Sequence, residues 1–117
     1  MQVISQTGQT GLTTLTNTYY MNNFEKLITG EKPVLVDFSA EWCGPCKMMP
    51  PILSDLKKKI GDKATIIKMD IDKNPLYAQK YSVQSVPTLI IFQNGKILWR
   101  KSGVTQVKEI FQQLSEL

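Results

Sequence analysis

The sequence predicts an α/β domain of three layers, with helices on both faces of a central mixed β-sheet. Three observations carry that prediction. The runs 34–38 and 64–71 are apolar almost throughout, as strands buried on both faces are. Stretches with apolar residues at helical spacing lie between and after them, so consecutive strands are joined by crossovers and run parallel. Finally, Asn94 and Gly95 separate two strand-like runs, the strongest short signal for a hairpin, which adds an antiparallel pair. At 117 residues, with 42% apolar and 21% charged side chains, the chain suits one folded domain.

In order, Asn22 or Asn23 is placed to cap a helix with Phe24, Leu27 and Ile28 on one face, and Gly30 to end it. The strand Val34, Leu35, Val36, Asp37, Phe38 follows. Met48, Met49, Ile52, Leu53, Leu56 and Ile60 then mark a long helix up to Gly61, with a bend expected at Pro50 and Pro51. After the second apolar run, Asn74 and Pro75 give a cap followed by a first-turn proline. The hairpin strands are 88–93 and 96–101, and Val107, Ile110, Phe111, Leu114 and Leu117 form the stripe of a last helix that Thr105 can cap. With a strand ahead of the first helix, the order is β-α-β-α-β-α-β-β-α.

Residues 1–24 carry no charged side chain, and up to Thr18 the chain is rich in Thr, Gln, Gly and Ser. Residues 1–18 therefore read as a polar N-terminal arm and 19–117 as the domain, which starts between Leu15 and Tyr20. The arm is also what a removed export signal would leave behind. The net charge of +4 is mild, and its one basic run, lysines 57–59, reads as a solvated helix face, so no nucleic-acid partner is expected. No apolar stretch approaches the ~20 residues of a membrane span.

There are two cysteines and no histidine. The missing imidazole excludes His-bearing zinc sites and Ser-His or Cys-His catalysis, and two thiols cannot complete a four-thiolate metal site within one chain. No metal and no bound cofactor are expected. Cys43 and Cys46 are separated by two residues, and a bridge between them closes too small a loop to restrain the unfolded chain much. Redox chemistry explains the pair better. They lie in Trp42, Cys43, Gly44, Pro45, Cys46, between a strand and the start of a long helix, where unpaired amides and the helix dipole favour a thiolate. Cys43, first in the pair, is expected to be exposed and to attack a target disulfide. Cys46, one turn in, is expected to be shielded and to resolve the mixed disulfide. Asp37 and Lys68 each sit inside an apolar strand, where an isolated charge costs several kcal/mol, and they are expected to face each other.

The WCGPC run at a strand-to-helix junction, followed by Val86, Pro87 and Thr88, closely resembles the thioredoxin family, of bacterial type, over residues 19–117. The resemblance implies a thioredoxin fold and a protein-disulfide reductase that cycles through a redox-active Cys43–Cys46 disulfide. Its implied partners are disulfide-containing proteins and a thioredoxin reductase or another thiol reductant. It implies that Pro87 is cis and faces the disulfide, and that Val86 offers backbone hydrogen bonds to an extended substrate. Asp37 becomes the acid/base that takes the proton of Cys46, with Lys68 tuning it; the bland alternative is a structural ion pair. Trp42, Gly44, Pro45, Val86, Pro87 and Gly103 form the implied substrate-contacting set, with Gly103 there for close approach. Ser39 stands where the family often has a second tryptophan. The competing readings are an exported disulfide oxidase or isomerase and a non-catalytic thioredoxin-fold subunit. Gly44-Pro45 between the cysteines favours the reductant, and a monomer in the cytoplasm is expected over an exported protein.

Overall fold

The computed structural model describes the backbone of residues 1–4, 12–14 and 17–117, and the side chains of 1–4 and 23–117. Its strands are β1 (Gln2–Ile4), β2 (Leu12–Thr14), β3 (Val34–Ser39), β4 (Thr65–Asp70), β5 (Thr88–Gln93) and β6 (Lys96–Ser102). They form one sheet in the order β2-β1-β4-β3-β5-β6, in which β3 and β4 are parallel and the other neighbours antiparallel. The helices are α1 (Asn17–Thr29), α2 (Met49–Ile60), α3 (Pro75–Lys80) and α4 (Val107–Ser115).

The sheet separates two cores. Val34, Val36 and Phe38 of β3 join Ile67, Met69, Ile90 and Phe92 under Phe24 and Ile28 of α1 and Tyr77 of α3. Leu35, with Ile66, Leu89 and Ile91, meets Met49, Leu53, Leu56 and Ile60 of α2 and Ile110 and Leu114 of α4. Every β3 position is buried because both faces are covered, which is why this strand shows no alternation in sequence. Each fully buried Leu, Ile or Phe contributes roughly 1.5–3 kcal/mol.

The N-terminal reading needs correction. Gln2–Ile4 and Leu12–Thr14, inside the stretch that reads as an arm, are strands: Gln2 and Val3 pair with Lys68 and Ile67, and Met1 and Ile4 are buried. Three-residue strands are too short to show a period; β1 adds to the edge of β4, and β2 adds to β1. Residues 5–11, 15 and 16, which include part of the expected domain start, lie outside the described residues. Helix α1 starts at Asn17, so Asn22 and Asn23 lie within it rather than capping it. A single-turn 3-10 helix, Pro45–Met48, precedes α2, and Pro50 and Pro51 fall in its first turn. There the missing N–H has no helical partner to lose, so the prolines start the helix instead of bending its middle. Lys57, read as solvated, is buried, with its Nζ donating to the Ala64 carbonyl at 3.0 Å. Gln106 rather than Thr105 precedes α4, and the Thr105 hydroxyl donates to the Gly103 carbonyl at 3.0 Å. The hairpin is as expected: Asn94 and Gly95 both have positive φ, 54° and 77°, as a type I′ turn requires.

Candidate active site

β3 ends at Ser39, and the chain turns at once: the Cys43 amide donates to the Ala40 carbonyl at 3.2 Å and that of Lys47 to Gly44 at 3.1 Å. The turn sets Cys43 just ahead of the 3-10 helix and Cys46 within it, joined as a disulfide with Cα atoms 5.3 Å apart. The Cys46 amide points at the Cys43 sulfur, 3.1 Å away. An amide aimed at this sulfur favours a thiolate once the bridge is reduced. The expected contrast in exposure is absent. Cys43 is 4% and Cys46 3% exposed, because Ala40, Ile71 and Val86 close around the pair.

The Val86–Pro87 peptide is cis, and the Val86 carbonyl oxygen lies 3.6 Å from the Cys43 sulfur. Two bonds hold this corner. The Gly103 amide donates to the Pro87 carbonyl at 2.8 Å, and the buried Thr88 hydroxyl donates to the Ser85 carbonyl at 2.6 Å. Gly103 has φ 95°, and a Cβ built there would meet nothing within 4 Å. Backbone conformation, not close approach within the chain, is therefore what calls for glycine. Trp42 is 70% exposed, its indole N–H donating to an Asp72 carboxylate oxygen at 2.9 Å. It stands at the rim of the site rather than inside the apolar cluster of the cysteines.

Asp37 is wholly buried, and neither carboxylate oxygen has a hydrogen-bond partner among the described residues. Burial pushes its pKa from 3.8 up to about 7, against the opposing pull of the Lys68 ammonium. Lys68 is its direct partner in the parallel β3–β4 register, as expected. Alternation along β3 puts Leu35, Asp37 and Ser39 on the α2 side of the sheet. On that side an open cleft of about 450 Å³ is lined by Ser39, Cys46, Pro50, Lys68 and Asp70, among others. Lys68 thus borders both the buried acid and the cleft beside Cys46.

With this geometry in view, the whole-chain likenesses agree. A family model described as Thioredoxin matches residues 15–116. The chain belongs to the thioredoxin family. It is 45% identical over 93 residues to a thioredoxin-like protein of Synechocystis sp., covering 79% of this chain and 89% of that one. With the thioredoxin of Alicyclobacillus acidocaldarius it shares 40% over 95 residues, 81% of this chain and 90% of the other. Among solved structures, thioredoxin from Nicotiana alata superposes with a TM-score of 0.76 at 30% identity, over 86% of each chain. As a thioredoxin-family member with its cysteine pair intact, the chain is a thiol-disulfide oxidoreductase and a protein-disulfide reductase. No helix among the described residues is long and apolar enough to cross a membrane.

Two features of this thioredoxin-family site escape the sequence reading. Asp70 accepts from the amides of Asp72 and Lys73, at 2.8 and 3.2 Å, and so shapes the turn that brings Asp72 under the Trp42 indole. The alternating Asp70, Asp72 and Asn74 after a strand are the signal, since such side chains bond their own backbone in turns. Ile71, from the same turn, packs on the disulfide. Nothing local in sequence distinguishes it from any other strand-end isoleucine.

Proposed function

We propose that Cys43 is the attacking thiol and Cys46 the resolving one in the reduction of protein disulfides. The Cys43 thiolate attacks one sulfur of the target disulfide, forming a mixed disulfide and releasing the other sulfur as a thiolate, which takes up a proton. Cys46 then loses its proton and attacks the Cys43 sulfur. The second target sulfur leaves as a thiolate, which takes up a proton, and the Cys43–Cys46 bridge closes. Two electrons and two protons pass to the target. A dithiol reductant, here a thioredoxin reductase, returns the bridge to two thiols.

The single observation that carries this reading is the Cys46 amide at 3.1 Å from the Cys43 sulfur, because it stabilises negative charge on Cys43 in particular. Asp37 supports the second half. A carboxyl group with pKa about 7 and no hydrogen bond among the described residues can, in its ionised form, take the Cys46 proton near neutral pH, with Lys68 favouring the carboxylate that receives it. Water in the cleft beside Cys46 and Lys68 would carry the proton. Val86 offers its backbone to an extended substrate segment, and Trp42, Gly44, Pro45, Pro87 and Gly103 complete the contact surface. Every group of the site comes from one chain, which fits a monomer, and reduction suits a reducing compartment such as the cytoplasm.

The test is reduction of insulin disulfides with either dithiothreitol or NADPH and thioredoxin reductase as electron source. Wild type turns over with both, and Cys43→Ser with neither. Turnover by Cys43→Ser would refute the assignment of the nucleophile, and turnover with dithiothreitol alone would refute the reductase as partner. A midpoint potential near the roughly −270 mV typical of thioredoxins supports the reductant, whereas one at roughly −180 to −120 mV would reverse the electron flow.

A further inference from the structure

We propose that Arg100 is a positioning residue for substrate binding: it fixes the segment 82–86 that delivers Val86 and Pro87 to the cysteine pair. The inference rests on the reading of Val86 as the substrate's backbone partner, and extends it to a side chain that lies outside the contact surface.

The segment begins where α3 ends. The last turn of that helix closes in a Schellman arrangement, with the Val83 amide bonded to the Ala78 carbonyl at 2.8 Å and that of Ser82 to Gln79 at 3.1 Å. Ser82 holds the left-handed position of that motif, φ 54°, where glycine is usual. Such a turn leaves the carbonyls of Tyr81 and Ser82 beyond the helical ladder. Arg100 of β6 takes both: Nη1 donates to Tyr81 O, and Nη2 to Ser82 O at 2.7 Å. A planar guanidinium suits two neighbouring oxygens, and an ammonium cannot match it with one nitrogen.

Arg100 lies opposite Ile90 in the β5–β6 register, so its backbone belongs to the sheet. The Tyr81 ring is held as well, with centroids 5.0 Å from Phe92 and 6.4 Å from Phe38. From this anchored point the chain reaches Pro87 through Val83, Gln84, Ser85 and Val86, of which Gln84 and Ser85 are exposed. Its far end is the corner tied by Thr88 and Gly103. The Val86 backbone thus hangs between two clamps, one at Arg100 and one at the cis-proline. An extended substrate needs its partner strand already in place, since ordering a loose segment on binding costs affinity. Arg100 itself is exposed, so its loss should disturb the segment far more than the fold.

The experiment compares wild type, Arg100→Met and Arg100→Lys with dithiothreitol as reductant, on insulin and on a small aromatic disulfide that has no backbone to pair. For Arg100→Met, KM for insulin should rise about three- to tenfold, as loss of a charge-assisted bond predicts. Its kcat, its rate with the small disulfide and its midpoint potential should stay at wild-type values. Arg100→Lys should fall between the two. An unchanged insulin KM in Arg100→Met, or equal losses on both substrates, overturns the proposal. If wild type reduces the small disulfide but not insulin, the protein-substrate reading of Val86 fails, and the role of Arg100 with it.

Discussion

Asp37 and Lys57 are the two buried side chains of opposite charge in the described structure whose surroundings differ most in kind. Lys57 is 8% exposed and donates to the Ala64 carbonyl where α2 gives way to β4, so its ammonium braces a turn. Asp37 is more deeply buried and has no hydrogen bond among the described residues. Burial weakens the charged form of both, raising the acid and lowering the amine. The raised acid titrates at about 7, close to the neutral pH at which thiol exchange runs. A buried charge with a backbone partner serves the fold, whereas one held without a hydrogen bond among the described residues at pKa about 7 is suited to moving a proton.

The sharpest way to break this contrast is Asp37→Asn. If the acid moves the Cys46 proton, closure of the Cys43–Cys46 bridge should slow about 10²-fold at pH 7 in single-turnover quench experiments. The inflection near pH 7 in that step should also disappear. An unchanged pH profile would reduce Asp37 to a structural residue like Lys57.

The same substitution should stabilise the protein in a pH-dependent way. Unfolded, the Asp37 carboxyl ionises near 3.8, and folded near 7. Between those values the native state keeps a proton that the unfolded state has lost, so this group's contribution falls as pH rises through the window and levels off above it. The gain from Asp37→Asn, measured by urea unfolding, should be near zero at pH 4 and reach up to about 4 kcal/mol at pH 8. A gain independent of pH would mean that the carboxyl is not neutral in the native state. Lys57→Met should do the reverse, costing about 1–3 kcal/mol through the unpaired Ala64 carbonyl while leaving turnover at the wild-type rate.

How much of this the sequence made legible follows from the range of the interactions involved. Trp42 to Cys46 is a local motif, and its position between β3 and α2 comes from hydrophobic runs that any buried strand and amphipathic helix display. Asp37 and Lys68 stand out because charges inside apolar runs are rare. Their mutual register follows once the crossover makes β3 and β4 parallel. The strand Gln2–Ile4 was hidden because its stability comes from the β4 edge and not from its own pattern. The burial of Cys43 was hidden too, since Ile71 and Val86 reach it from distant turns. Arg100 gives no sequence signal at all: an arginine in an exposed hairpin strand reads as surface, and its two carbonyls come from residues 18 and 19 positions away.

The two glycines of the site extend the distinction between what the fold needs and what the chemistry needs. Gly103 has φ 95°, so Gly103→Ala should cost roughly 1–2 kcal/mol whatever space surrounds it. Gly44 is right-handed helical, with φ −59° and ψ −54°, and a Cβ there would meet nothing within 4 Å. Gly44→Ala should therefore leave stability within about 0.5 kcal/mol of wild type in thermal or urea unfolding. Because Gly44 lies between the two cysteines, a methyl group there would face an incoming protein disulfide. A higher insulin KM at unchanged stability would mark this glycine as a requirement of substrate approach, whereas a loss of stability would show that the turn itself demands it.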